Sequence, residues 1–212
     1  MVVLHLIRHG QSTWNVEGRI QGQLSEPELT DLGREQAAAT AGAVAALGLA
    51  RLLTSDLTRA VQTAEIIGAA CHLDPIPTSL LREQDLGRLQ GLTTAQAFAD
   101  YPDEDYSDPD RLIGGYGESA RDVHGRVAAL LASPLVSEAP GPVGLVTHGD
   151  TIRWALAHLL AEDLREVPWR AIDNGSITTV VRVEDAAGDP WIQARTFAAD
   201  GTVVDQGRTL AW

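Results

Sequence analysis

Val2-Val3-Leu4-His5-Leu6-Ile7-Arg8-His9-Gly10 reads as an apolar buried strand that empties into a loop on a cation, an imidazole and a glycine. Ligands collect at the carboxyl ends of such strands. The arrangement returns far downstream, where Val143-Gly144-Leu145-Val146-Thr147 runs straight into His148-Gly149-Asp150. Two histidines at the ends of two core strands can converge on one ligand.

Outward from these strands the chain alternates between strand-like and helical runs. Val2 to Ile7 is followed by a helix from about Thr30 to Leu47, a strand at Arg51 to Thr54 and a helix from about Leu57 to Ala70. Later come helical Gly117 to Leu131, the strand Val143 to Thr147 and helical Asp150 to Leu160. The alternation indicates an α/β sheet covered by helices. Ser176 to Val183 and Trp191 to Phe197 flank the turn-rich Asp185-Ala186-Ala187-Gly188-Asp189-Pro190 and predict a terminal β-hairpin, which makes the sheet mixed. Tyr101 to Asp110, with its prolines and acids, interrupts the rhythm and reads as a lid or a solvated loop.

With 212 residues and 44% hydrophobic content, the chain can bury one sizeable core, so residues 1–212 are read as a single domain. Against 29 acidic residues stand 16 basic ones, a net charge of −13, and this repels nucleic acid and anionic membrane surfaces. A small phosphorylated metabolite stays admissible, because a few arginines can dominate the field inside a cleft. The single cysteine, Cys71, allows no internal disulfide and fits a reducing compartment. Only Met1 to Ile7 precede Arg8, too few for a secretory leader, and no apolar run reaches membrane-spanning length, so a cytoplasmic protein is expected.

Three further segments join the two histidines: Asn15 after Arg8-His9-Gly10-Gln11-Ser12-Thr13-Trp14, then Ser55-Asp56-Leu57-Thr58-Arg59-Ala60, then Leu81-Arg82-Glu83-Gln84-Asp85-Leu86-Gly87. Attack on a phosphoryl group needs a nucleophile that is unprotonated near neutral pH, and imidazole, with an ordinary pKa of about 6.5, qualifies. His9 is the candidate. His5 lies four residues earlier, about 13 Å along a strand, and is read as structural. Ser55 or Asp56 is the expected N-cap of the next helix, which puts Arg59 in its first turn, against the macrodipole. A bound anion would resolve that conflict, and so would exposure of the guanidinium to solvent. Asn15 can donate to the same anion or serve as a turn residue. Backbone N–H groups around Gly149 can add to an anion site at a helix start. Glu83 and Asp85 are both candidates for an acid, and either can instead pair with Arg82 or Arg88.

The order and spacing of these segments resemble the histidine phosphatase superfamily, in the branch of cofactor-dependent phosphoglycerate mutase and its phosphatase relatives. The resemblance runs from the first strand to His148 and implies a three-layer sandwich, a mostly parallel mixed sheet flanked by helices, with a small lid insertion at about 92–116. It makes His9 the residue that becomes phosphohistidine, with its other ring nitrogen donating to a backbone carbonyl. Arg8, Arg59 and His148 become the stabilisers of the transferring group. Glu83 becomes the general acid and base, because the family's acid stands four residues ahead of the glycine, as Glu83 does of Gly87. Phosphate contacts are assigned to Arg8, Asn15, Gln21, Gly22, Arg59, His148 and Gly149. Arg19 and Gln23 border the leaving group, and Glu118-Ser119 opens a helix facing the cleft.

No metal or cofactor is expected, since the chain carries neither a His-Glu-x-x-His motif nor a Walker loop. Three functions follow in order: a phosphatase acting on a small phosphomonoester, a phosphoglycerate mutase, and an inactive module that binds phosphorylated ligands. The complete set Arg8, His9, Arg59, Glu83 and His148 disfavours the third. Mutases of the family carry a Glu-Arg-His-Tyr-Gly-Ala-Leu-like segment after the acid and basic side chains in the insertion. Here Glu83 is followed by Gln84-Asp85-Leu86-Gly87, and the only arginine between Leu92 and Tyr116 is Arg111, which favours the phosphatase. The resemblance also admits a homodimer.

Overall fold

The computed structural model describes residues 2–182 and the backbone of 191–197 and 203–204. Its strands are β1 (Val3–Arg8), β2 (Arg51–Ser55), β3 (Ile76–Thr78), β4 (Val143–Thr147), β5 (Ile177–Arg182), β6 (Trp191–Phe197) and β7 (Val203–Val204). The helices are α1 (Thr13–Glu17), α2 (Asp31–Ala45), α3 (Thr58–Cys71), α4 (Thr94–Asp100), α5 (Ala120–Ala132), α6 (Pro134–Ser137) and α7 (Gly149–Leu159). All the strands join one sheet in the order β3-β2-β4-β1-β5-β6-β7. Parallel pairing links β3, β2, β4 and β1, and antiparallel pairing links β1 to β5, β5 to β6 and β6 to β7. The sheet is therefore mixed, with a parallel half β3-β2-β4-β1 that is extended by antiparallel pairing beyond β1. Strands β5 and β6 form the expected hairpin, whose turn at 185–190 lies outside the described residues.

Alternation along the strands divides the core into two layers. Leu4, Leu6, Leu53, Val143 and Leu145 pack with Val123, Val127 and Leu130 of α5 and Ile152 and Leu156 of α7. Their neighbours Ile7, Leu52, Val146 and Ile177 pack with Ala41 and Val44 of α2 and Ala60, Ala64 and Ile67 of α3. Helices thus cover both faces, giving three layers. The position between β1 and α2 allows no bulk: a Cβ on Gly10 would stand 2.2 Å from Gly33 O, and one on Gly33 would stand 2.0 Å from Gln11 O. His5 is buried within β1, and its Nδ1 lies 2.9 Å from Thr179 Oγ1.

Helix ends follow local chemistry. Thr30 caps α2 by accepting from Gly33 N, and Ser119 caps α5 by accepting from Asp122 N. The expected cap of α3 is corrected by the structure. Leu57 holds that position with no side-chain hydrogen bond, and Ser55, whose Oγ accepts from Leu57 N at 3.3 Å just before the helix, also meets a histidine described below. The segment 92–116 contains α4, which opens on a capping box of Thr93 and Gln96. Its acidic stretch is tied down by Arg111 to Glu104 at 3.6 Å and by Arg121 to Asp110. No helix among the described residues is long and apolar enough to cross a membrane.

Candidate active site

Parallel pairing of β1 with β4 brings Arg8 opposite Thr147, so the residues that follow, His9 and His148, emerge side by side. Their ring centroids are 5.1 Å apart, inclined at 61°. Both rings are buried. His9 Nδ1 lies 2.7 Å from Gly10 O, and since a carbonyl only accepts, Nδ1 carries the proton and Nε2 holds the free lone pair. His148 Nε2 lies 2.8 Å from Ser55 Oγ at the end of β2, and its Nδ1 has no hydrogen-bond partner. Burial, reinforced by the charges of Arg59 and Arg8, holds the pKa of His9 well below 6.5. Burial and Arg59 do the same to His148. Both imidazoles are therefore neutral at neutral pH.

Arg59 reaches inward from the first turn of α3 and is buried. This answers the question left open by its position, since the guanidinium is not in solvent. Its Nη2 donates to Gly22 O at 2.8 Å and its Nη1 to Leu24 O at 3.0 Å, while its Nε has no partner. Burial pulls its pKa down to about 10, against the attraction of Glu83, so it remains charged. Arg8 donates through Nη1 to Ile172 O, and its Nε is likewise buried and unpartnered. A Cβ on Gly149 would lie 3.7 Å from that Nε, which places the start of α7 against Arg8. Burying such donors without a partner is costly. A bound anion would satisfy both.

Glu83 sits at the N-terminus of α7, where its Oε1 accepts from Thr151 N at 3.1 Å and Gln84 N at 3.0 Å. Oε2 accepts a single longer bond from Asp150 N at 3.3 Å. Burial and the Asp150 charge raise its pKa above 4.5, opposed by the Gln84 N–H and Arg59. Asp85 is a turn residue instead, its Oδ1 accepting from Gly87 N at 2.8 Å. Neither arginine suggested as a partner takes Glu83: Arg82 is bound to Asp56 and Arg88 to Gly114 O.

The remaining candidates form a rim. Asn15 Oδ1 accepts from Ser12 N and from Asn174 Nδ2, leaving its own amide nitrogen to donate. Gln21 Oε1 accepts from Ser12 Oγ at 2.8 Å, and Gly22 supplies the carbonyl that orients Arg59. Gln23 and Glu118 support the acid: Gln23 Nε2 donates to Glu83 O, and Glu118 accepts from Arg126 at 2.9 Å. Arg19 is turned to Glu17 and Gly91 O. Ser55, Thr151, Arg126 and Asn174 were missed in the sequence. Ser55 stood inside a recognised segment but was read as a cap, and Thr151 stood just after the His148-Gly149-Asp150 motif; Arg126 and Asn174 lay in neither.

Comparison with known proteins agrees with this geometry. The family model described as histidine phosphatase superfamily (branch 1) matches residues 4–189. The chain is 33% identical to a protein of Proteus mirabilis named probable phosphoglycerate mutase GpmB, across 97% of this chain and 92% of that one. It is 36% identical to a mycobacterial glucosyl-3-phosphoglycerate phosphatase solved with VO3, with a TM-score of 0.81 over 91% of this chain and 96% of that one. It is also similar to a phosphoserine phosphatase of Entamoeba histolytica solved with 3-phosphoglyceric acid, at 25% identity and a TM-score of 0.77 over 92% and 96% of the two chains. A buried histidine pair at two parallel strand ends, ringed by arginines and extended across most of the chain by these matches, places the protein in branch 1 of the histidine phosphatase superfamily, as a phosphatase-type enzyme.

Proposed function

We propose that the protein is a metal-independent phosphatase that hydrolyses a small phosphomonoester through a phosphohistidine at His9. One observation carries the reading. His9 and His148 stand 5.1 Å apart, the charges of Arg59 and Arg8 act on His9, and Arg8 Nε, Arg59 Nε and His148 Nδ1 are all buried without a hydrogen-bond partner. Phosphoryl transfer spreads charge over the equatorial oxygens, and preorganised donors of this kind lower its barrier.

In the first step Nε2 attacks phosphorus, the ester P–O bond breaks, and Glu83 protonates the departing oxygen. Oε2, with its single long contact, is the oxygen placed to hand over that proton. In the second step the Glu83 carboxylate takes a proton from water as the water oxygen displaces Nε2, which releases phosphate and restores both groups. Asn15, Gln21, Gly22 and Gly149 complete the phosphate rim. Acid-sensitive phosphoenzyme should form in the wild type during turnover with a labelled aryl phosphate, and His9→Ala should form none and lose turnover. Wild-type activity in the variant would remove His9 as nucleophile.

The mutase name borne by some relatives gives a second reading. A mutase must hold a carboxylate-bearing acceptor and keep water out, which calls for free cations beside the pocket. Arg19, Arg88 and Arg111 are each committed elsewhere, to Glu17, to Gly114 O and to Glu104. With 3-phosphoglycerate, primed or not by a bisphosphate, we expect at most slow release of phosphate. Isomerisation faster than phosphate release would make the enzyme a mutase.

A further inference from the structure

Beside Glu83 a recess of about 290 Å³ opens between the insertion and α7, lined among others by Tyr106, Asp108, Asp150, Arg153, Arg165 and Trp169. It touches the chemistry directly, since Asp150 both lines it and donates its N–H to Glu83 Oε2. The volume lies at the small end of ligand sites, enough for one ring-sized group.

Its walls have a definite character. Trp169 is 79% exposed, an unusual position for so large an apolar ring, and Tyr106 is 55% exposed. Arg153 lies 4.0 Å from the Trp169 ring centroid and is bound through Nη1 to Asp150 Oδ1 at 2.7 Å. That leaves Arg153 Nε, which is buried and has no hydrogen-bond partner. The two acids and two arginines of the lining balance, so the recess offers hydrogen bonding without a surplus charge to hold an anion. An amphipathic aromatic face beside balanced polar groups matches a ligand with a C–H face and a rim of hydroxyls.

We propose that this recess seats the leaving group and selects a neutral, polyhydroxylated ring such as a glycosyl unit, with Trp169 as its platform and Arg153 and Asp150 as its hydroxyl contacts. The proposal rests on the phosphatase reading above. In the Michaelis complex the ring lies on Trp169, and the bridging ester oxygen meets Glu83 while the phosphoryl group meets His9.

Acetyl phosphate, whose leaving group is too small to fill the recess, separates the two claims. Steady-state kinetics on acetyl phosphate, glucose 6-phosphate and 6-phosphogluconate should be run on the wild type, Trp169→Ala and Trp169→Phe. The wild type should prefer glucose 6-phosphate to the acidic 6-phosphogluconate by about tenfold in kcat/KM. Trp169→Ala should lower the ratio of glucose 6-phosphate to acetyl phosphate by about tenfold, through KM, as lost uniform binding does, and Trp169→Phe should restore most of it. An unmoved ratio in Trp169→Ala, or a preference for 6-phosphogluconate, overturns the recess while leaving the phosphatase intact. A wild type that releases no phosphate even from acetyl phosphate overturns both.

Discussion

Glu83 and His9 are driven in opposite directions by the same burial, the carboxyl upward and the imidazole downward. The acid thus keeps its proton to higher pH, and the nucleophile its lone pair to lower pH, than either would in water. We expect kcat/KM on an alkyl phosphate to fall as pH rises through the Glu83 pKa. Glu83→Gln should erase that alkaline limb and slow alkyl esters by about 10² to 10⁴, with a much smaller loss for an aryl phosphate whose leaving group needs no proton. Equal losses on both esters would leave Glu83 as a positioning group. At this scale Arg8, His9, Arg59, Glu83 and His148 were readable because each sits in or next to a short segment with its own signature. Ser55 was not: it meets His148 across 93 positions of chain, and nothing local to a serine announces a distant imidazole. Asn174, which donates to His9 O, was legible only as part of a turn.

At the scale of elements, long periodic runs were read closely. The helix expected from about Thr30 to Leu47 spans Asp31–Ala45, and the one expected from Asp150 to Leu160 spans Gly149–Leu159. Helices α1, α4 and α6, with five, seven and four residues, escaped because so few turns show no periodicity. The α3 cap failed for another reason, since Ser55 Oγ accepts from Leu57 N ahead of the helix, which starts at Thr58, and the same oxygen is shared with His148. The contact of the β1 loop with α2 was also invisible, and it invites a test. A methyl at Gly33 would strike Gln11 O, two residues after His9, and overpacking of this kind costs about 1 to 3 kcal/mol. Gly33→Ala should lower the thermal midpoint and reduce kcat together, whereas Gly42→Ala in the same helix, where a Cβ meets nothing within 4 Å, should do neither. Loss of stability with kcat intact would mean that the loop yields without disturbing His9.

The whole molecule carries three buried histidines with lowered pKa, His5, His9 and His148, and burial takes His5 to about 4. Each is neutral when folded yet titrates near 6.5 when unfolded. The stability they contribute is complete above pH 6.5 and is lost as pH falls toward the folded values. His5 alone accounts for about 3 kcal/mol at the acid limit, by the usual 1.36 kcal/mol per unit. Glu83 runs the other way, its contribution complete below about pH 4.5 and lost as pH rises through its raised pKa, so Glu83→Gln should not destabilise the protein at neutral pH. Urea unfolding at pH 7.5 and pH 5 should show a marked acid loss, reduced in His5→Gln; equal midpoints in the wild type would contradict it. The strand order has one more consequence. The phosphate pocket draws on chain segments near residues 9, 59, 83, 148 and 174, joined by a sheet whose central strand β1 waits for β4 and β5, which are made much later. During synthesis an emerging chain therefore holds His9 for most of its length without a partner histidine or the Asn174 clasp. Catalysis switches on late and all at once, so the recovery of activity on refolding can serve as a clock for closure of the sheet.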